Sequence, residues 1–140
     1  MEKIDLLITL TAHENDANNV TIAFTMGMNA ADKGYNTVIL LLSNAVSLAE
    51  KGYADKIDIG EPFKPIKELL PAYLAGGGRI AVCSACMKHN GIEATNLIDG
   101  AEIPERPHRQ YTDCWNTALL RVKRSCEHTF ILKSKNKGPI

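Results

Sequence analysis

The stretch Ile80-Ala81-Val82-Cys83-Ser84-Ala85-Cys86-Met87-Lys88-His89-Asn90-Gly91-Ile92 decides how the chain is read. Its first residues are apolar and form a short buried strand. The strand stops on Cys83, a second cysteine follows three residues later, and a basic turn closes at Gly91. This is the pattern of a strand running into a short helix with a glycine stop. Two thiols therefore stand at a strand–helix junction. Three readings are open for them: thiol chemistry, a share in a metal site, or small side chains that fill space.

The segments on either side repeat the alternation. Before the strand, Ile66, Leu69, Leu70, Tyr73 and Leu74 follow helical spacing, and Pro71 within them predicts a kink or an early break. Gly76-Gly77-Gly78 follows that helix and precedes a strand. A phosphate-cradling loop has the opposite order, so the glycines are a helix stop and turn. Further back, Thr37–Leu42 is the most apolar strand and predicts a central position. It leads through Ser43-Asn44 into a short helix from Ala45 to Lys51. Ile57-Asp58-Ile59 reads as an edge piece or an extended loop. The chain begins with an apolar strand, Ile4–Leu10, then a polar loop, Thr11–Asp16, then a helix from Ala17 to Lys33. On that helix Val20, Phe24, Gly27, Met28 and Ala31 form one stripe. After the thiols, Leu97-Ile98 is a short apolar piece and Ala101–Ile103 a fourth strand. Thr112 or Asp113 starts a helix to Arg124, His128–Leu132 is a fifth strand, and 133–140 is a flexible basic tail.

Strands alternating with helices predict a single α/β domain over residues 1–132. Its sheet is mostly parallel and five-stranded, with helices on both faces. In such sheets ligands bind beyond the carboxyl ends of the strands. Three strand ends then share one rim: Thr11–Asp16, Ser43-Asn44 and Cys83–Cys86.

Composition narrows the class. With 45% hydrophobic and 23% charged residues the chain is an ordinary globular domain, not a disordered one. No apolar run approaches the length that crosses a bilayer. The N-terminus carries acids and enters a strand at once, unlike a signal peptide. A cytoplasmic protein whose thiols stay reduced is expected, without membrane contact. Net charge is zero but uneven. Residues 1–105 hold eight Lys/Arg against fourteen Asp/Glu, and 106–140 hold eight against two. The acidic bulk repels phosphate, so the basic segment argues for a solvated end over nucleic-acid binding.

For the thiols, the reactive form is the thiolate, which a helix start and nearby cations favour. Cys83 at the strand end would face the Ser84 and Ala85 amides, with Lys88 and His89 adding positive charge. Cys86 can then resolve a product as a disulfide. His13, in the loop after the first strand, is a candidate to hold a thiolate or donate a proton. Asn44 is a helix N-cap or a substrate contact. One C-x-x-C supplies only two of the four ligands that zinc takes. Cys114, Cys126, His108 and His128 are not spaced to complete them, so neither metal nor cofactor is expected.

The run Cys83–Ile92 followed by Leu97-Ile98-Asp99-Gly100-Ala101-Glu102-Ile103 resembles the DsrE/DsrF-like sulfur-relay family, including its small YchN-like members. Asp5–Thr9, Leu40–Ser47 and Glu68–Gly78 fit the same pattern. The resemblance covers about residues 1–103, and 104–140, with Cys114, Trp115 and Cys126, departs from it. It implies a compact, flavodoxin-like three-layer α/β sandwich assembled as homotrimers or homohexamers. In sulfur-transfer members a cysteine eight residues before the glycine of this turn carries a persulfide. Cys83 has that spacing to Gly91, while Cys86 is not general in the family. The function implied is carriage of sulfane sulfur on Cys83, as a relay protein or sulfurtransferase, between donor and acceptor proteins. Two alternatives stand beside it: a Cys83/Cys86 thiol–disulfide redox or sensor protein, and a non-catalytic oligomeric module that binds a small ligand.

Overall fold

The computed structural model describes residues 4–105 in full and the backbone of 118–122 and 130–133. Five parallel strands and one antiparallel strand make a single sheet: β1 (Leu6–Leu10), β2 (Thr37–Leu41), β3 (Arg79–Val82), β4 (Ala101–Glu102), β5 (Ala118–Val122) and β6 (Phe130–Lys133). Their order is β4-β3-β2-β1-β5-β6, with β6 antiparallel to β5. The helices are α1 (Ala17–Asp32), α2 (Ile66–Ala75) and α3 (Ser84–Asn90), joined by 3-10 turns of which Ser43–Ala49 is the longest.

The steps from β1 to β2, β2 to β3 and β3 to β4 all move the same way across the sheet. Right-handed crossovers then place every intervening helix on one face. The packing agrees. Ile8, Leu10, Ile39, Leu41, Ile80 and Val82 join Val20 and Phe24 of α1, Leu69 and Tyr73 of α2 and Met87 of α3 in one buried cluster. The alternate strand residues, Leu7, Val38, Leu40 and Ala81, form a second cluster with Ile4 on the other face. Strand residues of both faces are buried, and the helices among the described residues, α1, α2 and α3, lie on the first. β2 is buried at all five positions, which makes it the central strand that its sequence predicts.

Three expectations are corrected. Ala118–Val122 is not helical. It lies parallel to β1 from Leu6 to Leu10, so the sheet has six strands rather than five. Its apolar residues fit either period, and the free edge of β1 decides for strand. Residues 112–117, 123–129 and 134–140, where the rest of that helix and the basic tail are expected, lie outside the described residues. Residues 43–49 wind as 3-10 rather than α-helix. Ile57–Ile59 takes the loop form, one of its two readings. The kink or break expected at Pro71 does not occur, and α2 runs through it. Pro71 and the Lys67 residue one turn before it are exposed, so water can satisfy the Lys67 carbonyl that loses its partner. No helix of the described residues is long and apolar enough to cross a membrane.

Gly76–Gly78 is the stop and turn that the sequence order predicts. The Gly76 amide returns to the Ala72 carbonyl, and the Gly78 amide to Tyr73. Gly78 lies flat against the Tyr73 ring, where a Cβ would overlap ring carbons. Tyr73 is fully buried and meets Phe24 edge-to-face. Its hydroxyl donates toward the Arg79 and Thr37 carbonyls at 2.6 and 3.1 Å and accepts the Arg79 amide at 3.0 Å. The start of β3 is thus pinned to α2 and to the start of β2.

Candidate functional site

The other end of β3 carries the thiols. β3 ends at Val82, yet the Cys83 amide still donates to the Leu41 carbonyl of β2 at 3.1 Å. Cys83 is therefore held by the sheet and is also the N-cap of α3, extended at φ −67° and ψ 117°. Cys86 is the third helical residue. The N-cap and the third position are the two whose side chains approach each other at a helix start. A C-x-x-C placed at a strand–helix junction accordingly brings its two side chains together. The Cys86 thiol lies near enough to Cys83 for that sulfur to raise its pKa. Both thiols are free, Cys83 buried and Cys86 half-buried.

A third group reaches the pair from the end of β2. The Ser43 amide donates to Cys86 Sγ at 3.2 Å. Ser43 has φ +53°, the left-handed region, which costs a residue with a Cβ roughly 1–2 kcal/mol. Asn90 closes the cluster. Its Nδ2 donates to the Cys86 carbonyl at 2.8 Å and to the Ser43 carbonyl at 3.3 Å. The turn after β2 and α3 are thereby tied to each other at the sulfur. Gly91, at φ +69°, ends α3 and lets the chain turn back toward Ile92.

These contacts set the charge on Cys86. Loss of water on burial pushes its thiol above the ordinary range, and the hydrogen bond to Cys83 and that sulfur's charge push it further. The Ser43 amide works against both, because it favours the anion. Cys86 therefore keeps its proton to a higher pH than an ordinary thiol.

The other candidates are distributed around this centre. Ser84 opens α3, and the Cys83 side chain takes no capping bond from the helix amides. The amide donor expected for Cys83 is found instead on Cys86, supplied by Ser43. Lys88 and His89 are exposed in the last turn of α3, at the end away from Cys83, where they complement the helix carbonyls. Asn44 is the second residue of the 3-10 turn rather than its cap, and is exposed. His13 lies on the predicted rim, with Nδ1 3.2 Å from the Tyr53 hydroxyl. Lys56 stands over the Tyr53 ring, 4.0 Å from its centroid, and pairs with Glu14 at 2.9 Å.

Sequence reasoning placed Ser43 on the rim without a role, and gave none to Asn90 or Tyr53. An Asn-Gly pair marks a turn, but nothing in it announces a carboxamide that bridges two segments. Among the described residues no group of three or more His, Cys, Asp or Glu side chains could hold a metal ion. Cys114, Cys126, His108 and His128 lie outside those residues.

The sequence pattern of the DsrE/DsrF-like family matches residues 5–107. MJ0760 of Methanocaldococcus jannaschii is 31% identical over 106 residues, 75% of this chain and 38% of that protein. The chain thus spans well under half the length of that relative. Among solved structures, YchN of E. coli superimposes with a TM-score of 0.67 at 21% identity, covering 86% of this chain and 99% of YchN. BT1422 of Bacteroides thetaiotaomicron gives 0.59 at 19%, covering 84% and 93%. MTH1491 of Methanobacterium thermoautotrophicum gives 0.56 at 15%, covering 85% and 99%. At these identities the likeness is one of fold.

Proposed function

The chain belongs to the DsrE/DsrF-like family of sulfur-relay proteins, and from that premise we propose that Cys83 carries sulfane sulfur as a persulfide. The Cys83 thiolate attacks the outer sulfur of a donor persulfide, R–S–SH. A bond forms between Cys83 Sγ and that sulfur, the donor S–S bond breaks, and R–S⁻ leaves as a thiolate. An acceptor thiolate later attacks the same outer sulfur and releases Cys83 in its starting form. Neither step needs a metal, a cofactor or an external oxidant.

The observation that carries the reading is the pair of free thiols at the carboxyl end of β3, Cys83 as the N-cap of α3 and Cys86 in its first turn. Cys86 is the thiol that burial keeps protonated, so its S–H is available to donate to sulfur anions on Cys83. The buried setting of Cys83 slows bulk oxidants. Donor and acceptor proteins, a homotrimeric or homohexameric assembly and a cytoplasmic location accompany this reading as proposals of the same standing.

The test is mass spectrometry after incubation with glutathione persulfide and removal of the excess. A reductant-labile gain of one sulfur is expected on the Cys83 peptide and is absent from Cys83→Ser. Labelling that persists in Cys83→Ser sinks the assignment. The same pair of thiols favours a second reading, a Cys83–Cys86 redox pair. That reading requires both cysteines for activity, whereas carriage survives Cys86→Ser.

A further inference from the structure

Loading and unloading of Cys83 give Cys86 nothing to do beyond donating one hydrogen bond. Its surroundings are built for more than that. It sits in the first turn of α3, three residues after the N-cap Cys83. The Ser43 amide is aimed at the Cys86 sulfur from a left-handed backbone, and an amide donor stabilises an anion there. Asn90 fastens the Ser43 carbonyl to the Cys86 carbonyl, so donor and sulfur hold their relation to each other.

We infer that Cys86 is a resolving thiol that discharges an unclaimed persulfide. This rests on Cys83 being the carrier. Cys86 attacks the inner sulfur, Cys83 Sγ. A Cys83–Cys86 disulfide forms, the bond from Cys83 to the outer sulfur breaks, and that sulfur leaves as hydrosulfide. The Cys86 proton goes with it, so the persulfide on Cys83 and the thiol of Cys86 together give the disulfide and hydrogen sulfide. The outer sulfur is reduced to sulfide and the two cysteine sulfurs are oxidised, so no outside oxidant enters. A dithiol reductant restores the starting pair. A loaded chain that meets an acceptor passes its sulfur on, and one that meets none empties itself into the disulfide form.

The competing course has Cys86 take the outer sulfur and become a persulfide itself. The placement favours discharge, because the group that Cys86 neighbours across the first turn of α3 is Cys83 Sγ, the inner sulfur. The experiment loads wild type, Cys86→Ser and Cys86→Ala with glutathione persulfide and desalts them. It then follows free sulfide, sulfane sulfur and the non-reduced peptide map with time. Wild type should release one sulfide for each Cys83–Cys86 disulfide formed. Both Cys86 variants should hold the extra sulfur on Cys83 about tenfold longer or more. Equal lifetimes in wild type and variants, or extra sulfur mapped to Cys86, overturn discharge and leave carriage standing. Absence of extra sulfur from the Cys86 variants overturns carriage, and discharge with it.

Discussion

At its amino end β3 begins under the Tyr73 ring, with Gly78 pressed flat against the aromatic face and the phenol bonded to backbone on both sides. At its carboxyl end the same strand, four residues long, opens onto two free thiols, a left-handed Ser43 and the exposed turn it begins. The first end packs on a buried aromatic ring and ties its backbone to the phenol. The second keeps polarisable sulfur near the surface and spends backbone strain to aim one amide. The contrast teaches a division of labour along one strand. The tyrosine end fixes where β3 starts, and a rigid start fixes where Cys83 stops. Substitutions at the first end should therefore cost stability and leave sulfur chemistry intact in molecules that fold. Substitutions at the second should do the reverse.

Gly78→Ala is the strongest way to break the tyrosine end. The new methyl overlaps a ring that three hydrogen bonds and the core hold still, so the ring cannot swing aside. Overpacking of this kind costs ~3 kcal/mol. Urea unfolding should show that loss. Loading of Cys83, counted per folded molecule, should match wild type. Wild-type stability in this variant would mean that Tyr73 is not fixed.

Tyr73→Phe is a milder break at the same place. It keeps the ring and removes the hydroxyl, leaving the Arg79 amide without this partner. The expected loss is about 2 kcal/mol. The pH dependence sharpens the test. Burial, ahead of all other causes, lifts the Tyr73 phenol far above its usual range. The fold therefore favours the protonated form. That contribution is complete below the unfolded tyrosine value of about 10 and fades as pH climbs toward the folded value. Stability of wild type should fall through this alkaline window, and Tyr73→Phe should lose that part of the slope. An unchanged slope would place the titrating group elsewhere.

The tyrosine end was legible in advance only in part. Helical spacing found Tyr73 in α2, and the order helix–glycines–strand found the turn. Nothing in the sequence told that Gly78 lies beneath the ring, because that closeness is a property of packing. At the thiol end, the strand, Cys83, the helix and Gly91 all fell where local pattern put them. The donors did not. The Ser84 and Ala85 amides are the donors a helix start suggests, yet the sulfur with an amide is Cys86 and the amide belongs to Ser43. Ser43 comes from the turn after a different strand, forty-three residues away, in a backbone conformation that serine rarely takes. Ala118–Val122 failed for a similar reason. Its residues suit a helix as well as a strand, and the choice was made by the open edge of β1. Local pattern reached the elements; long-range pairing chose between them.

The smallest effect probes the thiol pair itself. Burial first, then the hydrogen bond and charge of Cys83, raise the Cys86 thiol above the ordinary range, while the Ser43 amide lowers it. The rate of Cys86 alkylation by iodoacetamide follows its thiolate fraction. Its midpoint in pH should therefore lie above that of a free cysteine. In Cys83→Ser the thiolate neighbour is gone but the burial is not, so the midpoint should move part of the way down. In Asn90→Ala the Ser43 turn is released from α3, the amide is less well aimed, and the midpoint should move up. The opposite signs separate the two influences. If Cys83→Ser leaves the midpoint unmoved, Cys83 does not influence the Cys86 sulfur. The resolving step then loses its geometry, while carriage on Cys83 keeps its own.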